Sequence, residues 1–114
     1  MSGHLGGITF TGKSGQKYYF RAWPLATRFK SGGLVFLVTK RAVNHRGRPT
    51  HELLCIGQTV DFGTSRSMSA LLQELGTQGA NCICVHGALD NDRRLEAVRD
   101  LQDSLELNRV QLDA

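Results

Sequence analysis

Hydrophobic and polar residues alternate along the first part of the chain, which is typical of β-strands. Ile8 and Phe10 alternate with threonines, and a second alternating stretch, QKYYFRAW, follows the turn sequence GKSG. The pattern predicts a β-hairpin over residues 8–23, preceded by a flexible N-terminus at residues 1–7. Pro24 should end the second strand, because proline has no N–H to donate to a sheet.

Two apolar runs in the middle of the chain predict buried strands. LVFLVT (34–39) and LLCIG (53–57) are apolar on both faces and too short to be independent helices. We expect them to be the two central strands of a sheet and to run antiparallel. The segment between them contains Gly47 and Pro49 and is rich in Lys, Arg and His, so it predicts an exposed basic loop.

The second half of the chain has helical periodicity. Helical periodicity begins near Thr64, and the apolar residues at i, i+3, i+4 and i+7 are Met68, Leu71, Leu72 and Leu75. Gly76 follows them and is placed to cap the C-terminus of this helix. NCICVH (81–86) predicts a further short strand. The stretch 90–107 predicts a helix capped by Asp90 or Asn91, and its apolar stripe is Leu95, Val98, Leu101 and Leu105.

The predicted order of elements is β-β-β-β-α-β-α, which favours an α+β fold. A small, mainly antiparallel sheet would be flanked by helices in one domain spanning residues 1–114, with residues 109–114 as a tail. A chain of 114 residues is long enough to bury a core without disulfides. Three cysteines, no long apolar run and no signal-like N-terminus lead us to expect a cytoplasmic protein without a membrane partner.

Charge is distributed unevenly along the chain. Residues 1–51 contain nine Lys or Arg and no acidic residue, whereas residues 52–114 contain five Lys or Arg and ten Asp or Glu. This asymmetry favours a surface that binds an anion, and nucleic acid is the commonest large anion. The alternative is that the two halves complement each other within the chain or between subunits.

Two groups of basic residues are candidate nucleic-acid contacts. The first alternates along the predicted second strand and combines cations with aromatic rings that could stack on bases: Lys17, Tyr19, Arg21 and Trp23. The second lies in the predicted basic loop: Lys40, Arg41, His45, Arg46, Arg48 and His51. The alternatives are a solvated sheet face whose tryptophan packs under a loop, and a flexible linker between strands.

Cys82, Cys84 and His86 alternate along one predicted strand and therefore share a face. Their side chains are of the types that bind zinc, and a fourth ligand could come only from Cys55 on another strand. The sequence has no CxxC motif, and cysteines in strands are usually small buried apolar residues, so we expect no metal or other cofactor here.

The motifs TGKSGQKYYFRAWPL, LVTKR, IGQT, GANCICVH and RLEAVRDL together resemble small stand-alone bacterial proteins of the GIY-YIG nuclease superfamily. The resemblance spans residues 8 to about 105. It implies a small antiparallel sheet flanked by helices. It also implies phosphodiester hydrolysis by tyrosine and arginine side chains with one divalent metal ion held by a glutamate.

The chain departs from that family pattern at the catalytic positions. Phe36 replaces the tyrosine of the first motif, and Val98 replaces the glutamate. Cys55 replaces the tyrosine of the second motif, which retains its glycine as Gly57. The expected arginine falls on Ser65, with Arg66 beside it. Phenylalanine cannot act as a base and valine offers no oxygen to a magnesium ion, so the resemblance implies a degenerate site with no catalytic residues.

Three hypotheses follow from the sequence. The leading one is a catalytically degenerate GIY-YIG-like domain that binds DNA or RNA and requires no cofactor. The second is an active nuclease that depends on Mg²⁺ or Mn²⁺ and uses a shifted set, Arg66 with Glu96 or Asp100. The third is a protein-interaction module or homo-oligomer in which the basic half of the chain binds an acidic partner.

Overall fold

The computed structural model describes residues 5–29, 32–60, 66–88, 90–105 and 109–110 and shows an α+β fold. Five antiparallel strands form a curled half-barrel sheet, which two helices cover, and a two-residue strand pairs parallel to β4. The elements are β1 (Gly6–Thr11), β2 (Lys17–Pro24), β3 (Leu34–Val43), β4 (Pro49–Thr59), α1 (Arg66–Thr77), β5 (Cys82–Gly87), α2 (Asn91–Leu105) and β6 (Arg109–Val110). The predicted order of elements is therefore confirmed, with β6 added inside the predicted tail.

The strand order is β1-β2-β5-β3-β4-β6. Each strand alternates between the two faces of the sheet, and each face carries its own core. The α2 face packs Val35, Leu37, Ile56, Cys82 and Cys84 against Ala97, Val98 and Leu101 of α2. The α1 face packs Phe36, Val38, Cys55 and Ile83 against Met68, Leu71, Leu72 and Leu75 of α1.

The prediction of a central strand is confirmed for LVFLVT and is wrong for LLCIG. They are antiparallel neighbours, but β5 lies on the other side of β3, so β3 and β5 form the centre. On the other side of β4, the described part of the chain contributes the two residues of β6. Sequence pattern alone does not show which buried strand lies between which neighbours.

The basic loop predicted between these strands is mostly regular structure. Pairing continues from Thr39 to Val43 on β3 and back from Pro49 on β4, which leaves a turn of five residues, 44–48. The side-chain oxygen of Asn44 accepts hydrogen bonds from the backbone N–H groups of Arg46 (2.9 Å) and Arg48 (3.0 Å) and closes the turn. Both faces of this extension are largely exposed, so no hydrophobic alternation marks it in the sequence.

Helix α1 ends at Thr77, two residues later than a cap at Gly76 predicted. Gly76 lies inside the helix, and the left-handed residue is Gly79, with φ +99°. The N–H of Ala80 donates to the carbonyl of Leu75 (3.0 Å), and the N–H of Gly79 donates to that of Gly76 (3.2 Å). These two bonds define a Schellman motif with Gly79 at its left-handed position, so Gly76 is not the cap.

The GKSG turn of the first hairpin is fastened to α2 through Asp100. The backbone N–H and hydroxyl of Ser14 donate to the Asp100 carboxylate at 2.7 and 2.6 Å, and the hydroxyl of Tyr18 donates at 2.8 Å. These hydrogen bonds lower the pKa of Asp100 below its ordinary value, and the bonds from Ser14 contribute most. Burial and the bond to Asp100 raise the pKa of Tyr18 to about 12. The turn sequence therefore has a structural role in joining the hairpin to the helix.

We expect Asp100→Asn to lower the thermal unfolding midpoint at neutral pH and to have progressively less effect in acid. A carboxyl group whose folded-state pKa is lowered contributes stability above its ordinary pKa, and that stability is lost as the pH falls through the folded-state value. Thermal midpoints of both proteins between neutral pH and strong acid test this. Asp103→Asn, on the exposed side of the same helix, is the control and should match the parent throughout.

Candidate functional site

The positions implied by the family resemblance do not form one site. Phe36 and Cys55 belong to the α1 face and are buried, with Gly57 paired to Phe36. Val98 is fully buried on the opposite face, between the sheet and α2. The sheet therefore separates the two replaced tyrosine positions from the replaced glutamate position.

A divalent metal ion of the kind that the family uses does not fit these residues. Apolar side chains surround Val98, and it supplies no oxygen ligand. On the α1 face, burial raises the pKa of the Cys55 thiol to about 11, so it stays protonated at neutral pH. Ser65 lies outside the described residues, and Arg66 is described only as the first residue of α1.

The residues of the shifted catalytic set belong to two helices on opposite faces of the sheet. Arg66 begins α1 on one face, whereas Glu96 and Asp100 belong to α2 on the other. The carboxylate of Asp100 already accepts hydrogen bonds from Ser14 and Tyr18.

The IGQT motif instead anchors α2 to the sheet through a buried arginine that sequence reasoning missed. Arg94 is 3% exposed, and its Nε donates to the side-chain oxygen of Gln58 at 2.9 Å. One terminal nitrogen donates to the carbonyl of Ala88 at 2.7 Å, and the other to the side-chain oxygen of Asn91 at 3.3 Å. The side chain of Gln58 therefore has a structural role, because it joins β4 to α2.

An exposed row of Lys17, Tyr19 and Arg21 lies on the α1 face of β2, as the alternation predicted. Tyr19 is 54% exposed, and its ring lies over Gly7, where any side chain would collide with it. The opposite residues on neighbouring strands are uncharged: Thr11 faces Lys17, while Gly7 and Val85 face Arg21. The row therefore presents an accessible aromatic ring between two cations.

Trp23 does not extend this row. It is half-buried and packs into the α1-face core, with its ring centroid 5.8 Å from that of Phe29 in an edge-to-face arrangement. This is the packing under a neighbouring segment that the sequence left open as an alternative. Of the two aromatic residues predicted for a stacking platform, Tyr19 is exposed and Trp23 is not.

The second basic group is divided between the two faces. Lys40 is exposed on the α1 face, where its side chain lies over Gly79. Arg46 and Arg48 are exposed in the turn between β3 and β4. Arg41 is half-buried on the α2 face, and its Nε is buried with no hydrogen-bond partner among the described residues. Arg41 therefore belongs to a different environment from the other three cations.

The cysteine hypothesis is corrected in two respects. Cys82 and Cys84 do share the α2 face, but Cys55 lies on the other face and cannot join them. His86 packs near Tyr18 and Phe20, and its Nδ1 lies 2.8 Å from the carbonyl oxygen of Tyr19. The histidine that reaches the cysteines is His51: one ligand atom from each of His51, Cys82 and Cys84 lies within 4.8 Å of the others.

Strand register assembles this cluster. Thr39 pairs with Cys82 across β3 and β5, and Arg41 pairs with His51 across β3 and β4, beyond a register shift between Val38 and Thr39. The Oγ1 of fully buried Thr39 lies 2.9 Å from Nδ1 of His51 and orients the ring. Sequence alternation along β5 alone could not find His51, because the contact depends on pairing across three strands.

Hydrogen bonding and burial shift the pKa values in the cluster in different directions. A hydrogen bond from Cys84 lowers the pKa of Cys82, and Thr39 and the Arg41 charge act in the same direction. The same bond and burial raise the pKa of Cys84. Burial, followed by the charge of Arg41, lowers the pKa of His51, which favours the neutral imidazole that can act as a ligand.

Comparison with protein-family models, with curated proteins and with solved structures found no match to this chain. Within the described residues, neither helix has the length and apolar character needed to cross a membrane.

Proposed function

We propose that this chain is a GIY-YIG-like domain that binds single-stranded nucleic acid and does not cleave it. The observation that carries the proposal is the row of Lys17, Tyr19 and Arg21, in which an exposed ring lies against Gly7 between two exposed cations. Such a ring can stack on any base while the cations neutralise neighbouring phosphates.

The charge on the two faces supports this choice of surface. A surface cavity of about 590 Å³ beside α2 is lined by four acidic residues, Asp92, Glu96, Asp100 and Asp103, and by one cation, Arg99. These carboxylates would repel phosphate. The row on β2, together with Lys40 on the same face and Arg46 and Arg48 near the turn, supplies the cationic surface instead.

We expect Tyr19→Ala to weaken single-strand binding about tenfold, because one stacked base contributes about 1–3 kcal/mol. Tyr19→Phe should retain most of the affinity, since it keeps the ring. Fluorescence anisotropy of labelled single- and double-stranded oligonucleotides measures both variants. Arg99→Ala, an exposed cation on α2, is the control for a general loss of charge and should bind like the parent.

Equal affinity of Tyr19→Ala and the parent would remove the stacking platform from the proposal. A plasmid assay completes the test, because the proposal requires supercoiled DNA to remain intact with Mg²⁺ or Mn²⁺. Metal-dependent nicking that disappears in Arg66→Ala would favour the nuclease hypothesis instead.

A further inference from the structure

The cluster of His51, Cys82 and Cys84 is separate from the proposed nucleic-acid surface. It lies on the α2 face, whereas the row of Lys17, Tyr19 and Arg21 lies on the α1 face. Polar groups gather here within an otherwise apolar core: Thr39 is fully buried, and Arg41 and His51 are half-buried. Burying such groups is costly unless they have partners or a ligand.

We propose that His51, Cys82 and Cys84 bind one thiophilic metal ion, Zn²⁺ or Cu⁺, with Thr39 as a positioning residue. Two sulfurs and one imidazole nitrogen, all within 4.8 Å of one another, match the soft ligand set that these ions prefer. Three protein ligands leave a tetrahedral ion one open position.

The surroundings of the three ligands are those of a metal site. The Thr39 hydroxyl is within hydrogen-bond distance of Nδ1 of His51 (2.9 Å), and hydrogen bonds of this kind usually orient histidine ligands. The side chain of Asn81 fixes the backbone of Arg41 by accepting from its N–H (2.7 Å) and donating to its carbonyl (2.9 Å). Because Arg41 pairs with His51 across β3 and β4, these two bonds also hold the strand that carries the histidine ligand in register.

Access to the site is from the side of His51. Both cysteines are fully buried, whereas His51 is half-buried near the base of the exposed β3–β4 extension. An ion can therefore meet the imidazole first and then the sulfurs. Because His51 lies at the edge of the core, His51→Ala should disturb folding less than a substitution of either buried cysteine.

The experiment titrates the reduced, chelator-treated full chain with Co²⁺, with Zn²⁺ and, without oxygen, with Cu⁺ against a colorimetric chelator. We expect one ion per chain. Thiolate-to-cobalt charge-transfer absorption that Zn²⁺ removes indicates the zinc type of site. Stoichiometric Cu⁺ binding without a cobalt signal indicates the cuprous type.

The chain contains matched controls for both ligand types. Cys82→Ser, Cys84→Ser and His51→Ala should abolish binding, while Cys55→Ser and His86→Ala should retain it. Thr39→Val should weaken it about 10- to 100-fold, as expected when the hydrogen bond that orients a ligand is lost. The bound ion should also raise the thermal midpoint of the parent and of Cys55→Ser, but not of His51→Ala.

Circular dichroism establishes that each variant is folded. If a cysteine variant does not fold, His51→Ala and Thr39→Val decide the question. Absence of one-to-one binding by any of the three ions would overturn the proposal. Unchanged affinity in His51→Ala, or loss of binding in Cys55→Ser, would also overturn it.

Discussion

Val98→Glu should largely unfold the domain and should not create a metal site. Val98 is fully buried against the sheet, where a carboxylate would have apolar neighbours. Burial can raise a carboxyl pKa by about 4 units, from about 4.3 to above neutrality, so at neutral pH the new side chain must take up a proton on folding, which lowers the unfolding free energy by roughly 4 kcal/mol. The larger side chain also overpacks the core by about 1–3 kcal/mol, and the sum is comparable to the whole stability of a marginal small domain, which is about 5 kcal/mol.

The pH dependence of Val98→Glu gives a second readout. Since the folded-state pKa of the new carboxyl would be raised, the destabilisation should shrink as the pH falls toward the ordinary glutamate value, about 4.3. Urea unfolding at several pH values measures this. Arg99→Glu, which introduces the same side chain at the neighbouring exposed position, should stay close to the parent. A folded Val98→Glu protein that binds Mg²⁺ would show that this position faces a site.

Arg94→Met should lower the unfolding free energy by about 3 kcal/mol, because it removes at least two charge-assisted hydrogen bonds worth about 1.5 kcal/mol each. The side-chain oxygen of Gln58 and the carbonyl of Ala88 lose the donors that now lie at 2.9 and 2.7 Å. Methionine preserves much of the side-chain volume, so the measured effect reports mainly on hydrogen bonding. The expected result is a lower urea midpoint with an unchanged m-value.

Arg93→Met is the matched control, because Arg93 is exposed and precedes Arg94 in the same helix. Its urea midpoint should equal that of the parent within error. If the urea midpoint of Arg94→Met were as close to that of the parent as the midpoint of Arg93→Met, the contact between Gln58 and α2 would contribute little to stability. The IGQT motif would then need another explanation.

The elements that the sequence predicted correctly are those whose pattern is local. The hairpin of β1 and β2 follows from alternating residues around a glycine-rich turn, and the start of α2 follows from the Asp90 cap, whose carboxylate accepts from the N–H of Asp92 at 2.9 Å. The apolar stripe predicted for α2 is correct for Val98, Leu101 and Leu105, whereas Leu95 is half-buried and lines the acidic cavity. The extension of β3 and β4 was missed because exposed residues on both faces leave no periodicity. The end of α1 was misplaced because two glycines, Gly76 and Gly79, compete for the cap position.

The candidate sites were less accessible from sequence because they depend on pairing between distant strands. Tyr19 could be placed on an exposed face by alternation, but only the structure shows its ring over Gly7. His51 reaches Cys82 and Cys84 through a register shift that no local pattern encodes. No sequence pattern singled out Arg94, which is buried and anchors α2 to the sheet.

The salt dependence of binding tests whether the exposed cations and Tyr19 bind single-stranded nucleic acid. Five exposed cations, Lys17, Arg21, Lys40, Arg46 and Arg48, could each neutralise one phosphate. A plot of the logarithm of the binding constant against that of the salt concentration should then have a slope of about −3.5 for single strands. Arg46→Ala with Arg48→Ala should flatten it. A slope near zero, or no binding at low salt, would contradict the account.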